Sequence, residues 1–462
     1  MRVIICGAGQ VGSAIARQLA SEGIHVTVID IAQENVRKVD ESYDVRGIEG
    51  HASHPAVLER AGAMDADMLI AVTQSDEVNM VACQVAYSLF GVKQRIARLR
   101  HVGYLAPGRR GLYGAEHLPI DVIISPEIEI AESIVRRLKT PGAFDIVGMA
   151  DNKVQLVGVH CDSESCSFVG ERYYELSERG PETGMIIIAV VRRGRAFIPE
   201  REDRVEIGDD AYVIAPTEQL DRVMRAFGHA EEIARRIVIV GGGNVGIHLA
   251  RKLRDEAKGI SLKIIERSGD RAELIARELQ HDAIVLQGDA LDGTILDEAN
   301  VASSQTLVAV TNDDETNLFA SVLAKQAGCP RAITLVNKRS YEPLMPKLGI
   351  DSVISPSEVT ISSVLRHVRR SNISALYTLR HDFGEVVEAE IGRGSPLLRA
   401  PLSQLALPEG MIVGAVVRNG NVIIPNGDTR FQESDHIVSL VTYADLKRVE
   451  VLVAGENRRL SR

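Results

Sequence analysis

Tryptophan is absent from this chain of 462 residues, and aromatic side chains make up only 4% of it. Platforms of stacked aromatics, on which single-stranded nucleic acids lie, lack their material here. An excess of basic residues is missing too: 53 Lys and Arg face 63 Asp and Glu, a net charge of −10, which disfavours broad binding to a phosphate backbone. No apolar run reaches the roughly 18 residues of a spanning helix. The longest, Met185 to Val191, is strand-sized. The N-terminal Met-Arg-Val-Ile-Ile-Cys-Gly-Ala-Gly reaches glycine too early for a secretory leader, so a cytosolic protein is expected. The five cysteines (Cys6, Cys83, Cys161, Cys166, Cys329) are few, odd in number and scattered, as in a reducing compartment. Cys161 and Cys166 could form a redox pair; loop thiols are the plainer reading.

What remains is 45% hydrophobic and 25% charged, with 39 Gly and 16 Pro, the composition of a soluble globular protein. At about 150 residues per domain the length suggests about three domains. Cores must come from Val, Ile, Leu and Ala, which suits parallel sheets buried on both faces.

The chain also repeats itself. Arg2-Val-Ile-Ile-Cys-Gly-Ala-Gly-Gln-Val-Gly12 reappears as Arg236-Ile-Val-Ile-Val-Gly-Gly-Gly-Asn-Val-Gly246, and Ala71-Val-Thr-Gln-Ser-Asp-Glu-Val-Asn79 as Ala309-Val-Thr-Asn-Asp-Asp-Glu-Thr-Asn317. Val122-Ile-Ile-Ser-Pro126 returns as Val353-Ile-Ser-Pro356, and the Gly184 to Arg192 strand as Gly410 to Arg418, always 226 to 238 residues downstream. A two-part unit has been duplicated. Upstream of each Ser-Pro, short apolar runs (Val3 to Cys6, His25 to Ile29, Met68 to Val72, Ile96 to Leu99, Val122 to Ile124) alternate with helical stretches such as Val11 to Glu22 and Val78 to Leu89, a doubly wound βαβ rhythm. After a helix at Glu127 to Leu138 the pattern becomes strand-rich, with turns at Arg193-Gly194 and Gly208-Asp209, a compact α+β module. Gly228 to Arg235, charged and helical in pattern, joins the halves.

Gly7-Ala8-Gly9-Gln10-Val11-Gly12 follows a strand and opens a helix, the context of a dinucleotide fingerprint. Gly7 permits the tight turn, Gly9 lets a pyrophosphate approach the backbone, and Gly12 lets helix and strand pack closely. Asp30 ends the second strand 21 residues after Gly9, where a carboxylate accepts ribose hydroxyls and repels a 2′-phosphate. The plainer alternative is a tight turn with Asp30 as a helix cap. Gly241-Gly242-Gly243-Asn244-Val245-Gly246, with Glu266, repeats the set, and Arg267 beside Glu266 weakens discrimination against a 2′-phosphate. Thr73 and Thr311 end the fourth strands, where their hydroxyls could meet a nucleotide or cap the next helix; the adjoining Asp-Glu pairs read as caps. Arg98 is a candidate phosphate or carboxylate clamp with no counterpart in Ala332 to Val336.

A reaction centre is missing. His51 and His54 form a weak pair in a polar loop, and Glu200, Glu202 and Asp203 sit among arginines as a solvated turn. There is no G-x-S-x-G and no Walker sequence. Nucleotide sites without chemistry suggest a sensor with a mechanical output. An NAD-dependent oxidoreductase on a duplicated Rossmann scaffold is the alternative, and a scaffold with vestigial sites a third reading.

With the doubled G-x-G-x-x-G and doubled Thr-x-x-Asp-Glu-x-Asn, the whole chain resembles the TrkA family, regulatory subunits built of tandem RCK (KTN) units. The resemblance implies an α/β fold of two repeats, each a Rossmann-like doubly wound parallel sheet domain followed by a small α+β RCK-C domain. The expected domains are 1–125, 140–226, 234–354 and 371–454. It implies a homotetrameric ring, peripheral on the cytoplasmic face of the inner membrane, docked on a TrkH- or TrkG-type potassium channel. NAD(H), and in some members ATP or ADP, is its signal, with no reaction catalysed. The matched positions are Gly7, Ala8, Gly9, Gln10, Val11, Gly12, Asp30, Thr73, Gln74 and Arg98 at one site. At the other they are Gly241, Gly242, Gly243, Asn244, Val245, Gly246, Glu266 and Thr311. Gln10 and Asn244 stand where single-unit relatives place a nucleotide-contacting Arg. Residues 103 to 118, longer than their counterpart, read as a docking loop or a surface insertion.

Overall fold

The computed structural model describes residues 1–105, 107–161, 165–256, 259–368, 373–379 and 383–454. Six short apolar segments, β1 (Arg2–Cys6), β2 (His25–Asp30), β3 (Arg46–Glu49), β4 (Met68–Ala71), β5 (Gln94–Arg98) and β6 (Val122–Ile124), form a parallel sheet in the order 3-2-1-4-5-6. The order reverses beside β1, so a crevice opens over its carboxyl end, where ligands of such sheets lie. Antiparallel strands follow: β7 (Ala143–Met149), β8 (Val154–Cys161), β9 (Ile186–Arg192), β10 (Arg195–Phe197) and β11 (Asp209–Pro216), in the order 10-9-11-8-7.

The second half repeats both sheets. β12 (Arg236–Val240), β13 (Ser261–Glu266), β14 (Ile284–Gln287), β15 (Thr306–Ala309), β16 (Ala332–Leu335) and β17 (Ser352–Ile354) are parallel in the order 14-13-12-15-16-17. β18 (Ile373–Thr378), β19 (Gly384–Glu390), β20 (Met411–Arg418), β21 (Asn421–Ile423) and β22 (His436–Thr442) run 18-19-22-20-21, the same pairing as in the first half. The β9–β10 hairpin turns through Arg193 and Gly194 at φ +53° and +77°, and the β20–β21 hairpin through Asn419 and Gly420 at +49° and +82°. Two positive φ values in succession match the strand twist.

The halves interlock. The helix Pro126–Lys139 leaves the first sheet and buries Ile130, Ile134 and Leu138 in the core of the second, against helix Asn244–Glu256. In return Pro356–Val368 buries Val364, Leu365 and Val368 against helix Gln10–Ser21 and the first sheet. The antiparallel sheets pack face to face through Leu156, Ile188 and Ile214 on one side and Val386, Ala415 and Leu440 on the other. Gly414 permits this approach, since a Cβ there would lie 2.3 Å from Ile214 Cδ1.

Two expectations are corrected. The joining segment 229–235 is irregular, not helical. Gly228 at φ +94° ends the preceding helix, and Ala234 is drawn into the second core. Cys161 is no loop thiol but ends β8, whereas Cys166 does lie in a loop; both are buried in one apolar cluster, and residues 162–164 between them fall outside the described residues. Of the 103–118 segment, 106 lies outside the description. Tyr104, Leu105, Tyr113 and Leu118 pack on the first core.

Candidate nucleotide site

Each glycine loop sits at the sheet's reversal point. Gly7 has φ +107° and Gly241 +106°, which only glycine adopts freely. A Cβ on Gly12 would lie 1.8 Å from the Gly7 carbonyl oxygen, and one on Gly246 would lie 2.1 Å from that of Gly241. These four glycines are explained by the fold alone. Gly9 is not. Its φ of −67° and ψ of −170° suit any residue, and among the described residues, its two chain neighbours aside, nothing lies within 4 Å of where its Cβ would be. Gly243 likewise faces open space.

The acids are tied to these loops. Asp30 accepts the Ala8 N–H at 2.6 Å and the Ala32 N–H at 2.8 Å; Glu266 accepts from Gly242 and Ser268, both at 2.8 Å. Asp30 therefore bridges two loops and is not the cap of helix Gln33–Ser42, whose N-cap is Ala32. Beyond Asp30, an open pocket of about 820 Å3 is lined by Ile31, Glu49, Gly50, His51 and two arginines, Arg46 and Arg60. His51, expected in a solvated loop, borders this pocket; its ring stacks on His54 with centroids 4.7 Å apart. Among the described residues no cluster of His, Cys, Asp or Glu could hold a metal.

Thr73 donates its N–H (2.9 Å) and its hydroxyl (2.7 Å) to Asn79 Oδ1, while the Asn79 amide donates to the Thr73 and Arg98 carbonyls at 3.3 and 2.8 Å. Thr311 and Asn317 repeat this with the Leu335 carbonyl in place of that of Arg98. The Asp-Glu pairs are not caps. Ser75 and Asp313 cap the helices, accepting from Val78 and Thr316. Asp76 instead accepts the N–H groups of Arg100 and His101, and Asp314 those of Asn337 and Lys338. The Thr-x-x-Asp-Glu-x-Asn motif thus fastens the ends of the strands beside each crevice. Gln74 lies exposed between Thr73 and the capping Ser75.

Arg98 lies at the carboxyl end of β5, 7% exposed, with Nη2 donating to the Thr73 carbonyl at 2.9 Å. Burial, aided by the neighbouring Arg100 cation, lowers its pKa to about 10. Glu127, paired with Arg100 at 3.2 Å, is pushed above the ordinary carboxylate value by burial. Among the described residues no carboxylate reaches ion-pair distance of Arg98. It is a buried cation at the crevice, favoured at longer range by Glu127 and Asp76 but, among the described residues, paired with neither.

The TrkA-N domain model matches residues 3–126 and again 237–356, and the TrkA-C domain model matches 386–453. The chain belongs to the TrkA family. "Trk system potassium uptake protein TrkA" of Azorhizobium caulinodans is 45% identical over 452 residues, 98% of either chain. That of Vibrio alginolyticus is 38% identical, again over 98% of each, and "TrkA homolog 1" of Methanosarcina mazei is 33% identical over 95% of this chain and 96% of that one. Among solved structures, the GsuK RCK domain aligns with a TM-score of 0.59 at 20% identity, covering 98% of this chain and 94% of that one. The GsuK channel bound to NAD aligns with a TM-score of 0.58 at 20% identity, covering 98% and 78%. These two share the fold.

Within this TrkA-family chain the two glycine loops are not equivalent. Leu335 occupies the place of Arg98, as the Asn317 and Asn79 bonds to their carbonyls establish. Ala8 becomes Gly242 where Val39 becomes Ile275: a Cβ on Gly242 would lie 2.2 Å from Ile275 Cδ1. The sequence reading missed Arg271, whose Nε donates to the Gly242 carbonyl at 2.7 Å. Its signal was the exchange of Asn35 for an arginine five residues after the acid. It also missed that Asn244 reaches the Arg100 carbonyl of the other half, at 3.5 Å.

Proposed function

We propose that this chain is the nucleotide-sensing regulatory subunit of a Trk-type potassium uptake system. It binds NAD(H), and ATP or ADP, in its two Rossmann parts and forms a tetrameric ring on the cytoplasmic face of the inner membrane. There it docks on a TrkH- or TrkG-type channel and changes the pore's openness by changing its own shape. Among the described residues no helix is long and apolar enough to cross a membrane, so in this reading the conducting path belongs to the partner.

The observation that carries the reading is Gly9. Gly7 and Gly12 serve the turn, so the plainer account explains them; Gly9 has ordinary backbone angles and no neighbour, so its missing side chain matters only to something outside the chain. The adjoining N–H groups and helix N-terminus favour an anion there, and the ribose side carries Asp30. In this reading Gly7 to Gly12, with Ala8, Gln10 and Val11, cradle the pyrophosphate. Thr73 and Gln74 border it, and Arg98 supplies the opposing charge. Gly241 to Gly246, Glu266 and Thr311 form the second cradle. The domains that move are 1–125, 140–226, 234–354 and 371–454.

Calorimetry of the purified chain with NADH, ATP and ADP tests this. Asp30→Ala weakens NADH by about 1 to 3 kcal/mol, the range of a charge-assisted hydrogen bond. Unchanged affinity removes Asp30 as ribose acceptor. Copurification with a potassium-conducting membrane protein is expected, and catalytic consumption of NADH would favour the oxidoreductase alternative.

A further inference from the structure

The two glycine loops carry their nearby charge on opposite flanks. At the first, the buried cation Arg98 stands on β5, beyond the reversal point from Asp30. At the second, that place holds Leu335, 5% exposed. The cation is instead Arg271, in the first turn of helix Gly269–Leu279, which follows directly on Glu266 and Ser268. Its Nε donates to the Gly242 carbonyl at 2.7 Å and its Nη2 to Asn244 Oδ1 at 3.4 Å, so the guanidinium lies across the loop. In the first half the same position is Asn35, whose amide faces Asp30 Oδ1 at 3.4 Å.

Among the described residues no carboxylate lies within 4.0 Å of the Arg271 guanidinium, although arginines nearby find them: Arg277 pairs with Glu273 and Arg251 with Glu278. It is held by one neutral carbonyl and one amide oxygen, beside the positive end of helix Asn244–Glu256. Arg271 is solvent-exposed, and a cation at a helix N-terminus is mildly disfavoured there, a penalty that a bound anion offsets. Gly243, beside it, leaves open space for that anion.

We propose that Arg271 is the phosphate-binding cation of the second site, and that this site reads the adenosine diphosphate moiety alone. The inference rests on the nucleotide reading above. In such a sheet the adenosine ribose lies over the strand bearing the acid, here β13, and the second half of a dinucleotide crosses towards the fourth and fifth strands. Arg271 stands on the ribose side. On the far side, where Arg98 would meet further phosphate or nicotinamide ribose at the first site, the second offers Leu335. ADP and NAD(H) therefore bind the second site alike, while the first distinguishes them.

The test is calorimetry of the full-length chain with ADP and with NADH in an Asp30→Ala background, which weakens the first site so that its binding step separates from that of the second. ADP and NADH bind the remaining site within about threefold of one another, and adding Arg271→Gln weakens both by about tenfold or more, as loss of a charge-assisted phosphate contact requires. Arg271→Lys recovers part of the loss, and Arg277→Gln, which removes one charge two turns along the same helix, leaves affinity unchanged. Thermal unfolding of each variant identifies any that misfold. In that event Glu266→Ala must abolish the same binding step while sparing the first. The proposal is overturned if Arg271→Gln keeps second-site affinity within about twofold, or if NADH outbinds ADP there by about tenfold. A wild-type chain that binds neither nucleotide sinks the nucleotide reading with it; binding at two sites, with Arg271→Gln silent, sinks the proposal alone.

Discussion

Replacing Gly9 by serine should leave the fold as stable as before, or stabilise it, while removing nucleotide binding from the first site. The residue is the N-cap of helix Gln10–Ser21, with φ −67°, ψ −170° and no side-chain cap; among the described residues, its two chain neighbours aside, nothing lies within 4 Å of the new Cβ. Serine is a preferred N-cap residue, better than glycine by a few tenths of a kcal/mol. Replacing glycine where the backbone is compatible adds about 0.4–1 kcal/mol by restricting the unfolded chain. Together the two effects stabilise the fold by about 1 kcal/mol. Binding runs the other way: a side chain where the pyrophosphate approaches the backbone costs at least tenfold, about 1.4 kcal/mol. Gly12→Ala is the contrasting variant. Its Cβ would lie 1.8 Å from the Gly7 carbonyl oxygen, which is backbone and cannot swing away, so the loop must move. Overpacking of this kind costs about 1–3 kcal/mol of stability. Urea unfolding followed by circular dichroism, with midpoints compared because several domains share the chain, reads the stability. Calorimetry with NADH reads the site. A Gly9→Ser chain that binds NADH normally would refute the assignment of the open space to a ligand.

Three further predictions follow from buried or charged contacts. Asn79→Ala leaves the half-buried Thr73 N–H and the buried Arg98 carbonyl without their partner and lowers stability by about 3 kcal/mol, at about 1–3 kcal/mol per orphaned group; a loss below 1 kcal/mol in urea unfolding would deny the clamp. Asp145→Ala strands the buried Arg137, which donates its Nη2 hydrogen to Asp145 at 2.6 Å, and removes one acceptor of the Tyr377 hydroxyl in the second antiparallel sheet; it should cost about 3–5 kcal/mol, and Arg137→Met/Asp145→Leu together should cost less than the single change. Glu315, hydrogen-bonded first by Lys338 and then by Tyr341, has its pKa lowered from 4.5 to about 2. Because the folded value is the depressed one, its contribution is complete above about pH 4.5 and is lost as pH falls through about 2. Carbon-detected NMR should show this carboxylate titrating near the lower value, and Lys338→Ala should return it towards 4.5.

Much of this was written in the chain because duplication prints each signal twice. Glycines at a strand-to-helix junction have few uses, and an acid ending the next strand narrows them further. The sheets were legible where strands are buried on both faces, as in Met68–Ala71, all four of whose residues are buried. β3 was not: of Arg46–Glu49 only Ile48 is buried, so an edge strand left no periodic trace. The charged segment 229–235 imitated a helix because composition cannot register that Gly228 turns the chain at φ +94°. Asp76 and Asp314 stand where caps stand in sequence. Their partners, Arg100 and His101 or Asn337 and Lys338, are 23 to 25 residues away and meet them only through the sheet. Arg271 was invisible for the same reason, since its contact with Gly242 spans 29 residues.

The exchange of crossover helices was also beyond sequence reading, and it bears most directly on how a bound nucleotide could move anything. Helix Gln10–Ser21 begins at the first glycine loop and is packed against Pro356–Val368, which starts at the carboxyl edge of the second sheet. Helix Asn244–Glu256 begins at the second loop and is packed against Pro126–Lys139, which starts at the edge of the first. The two crossover helices also meet each other, Ser363 donating to Glu129 at 2.5 Å. Lys252 and Lys139 pair with Glu132 and Glu256 along one of the seams, at 3.1 and 2.6 Å. Side chains packed this closely transmit displacement instead of absorbing it. A nucleotide that draws one loop towards its phosphates therefore presses on a rod anchored in the opposite half. The far end of Pro126–Lys139 holds Arg137, bonded to Asp145 of the first antiparallel sheet, which in turn holds Tyr377 of the second. The seam beside the second glycine loop is thus joined by contacts to the antiparallel sheets of both halves. A ligand with unequal affinity for two settings of these rods would shift the whole chain between them by that difference and no more.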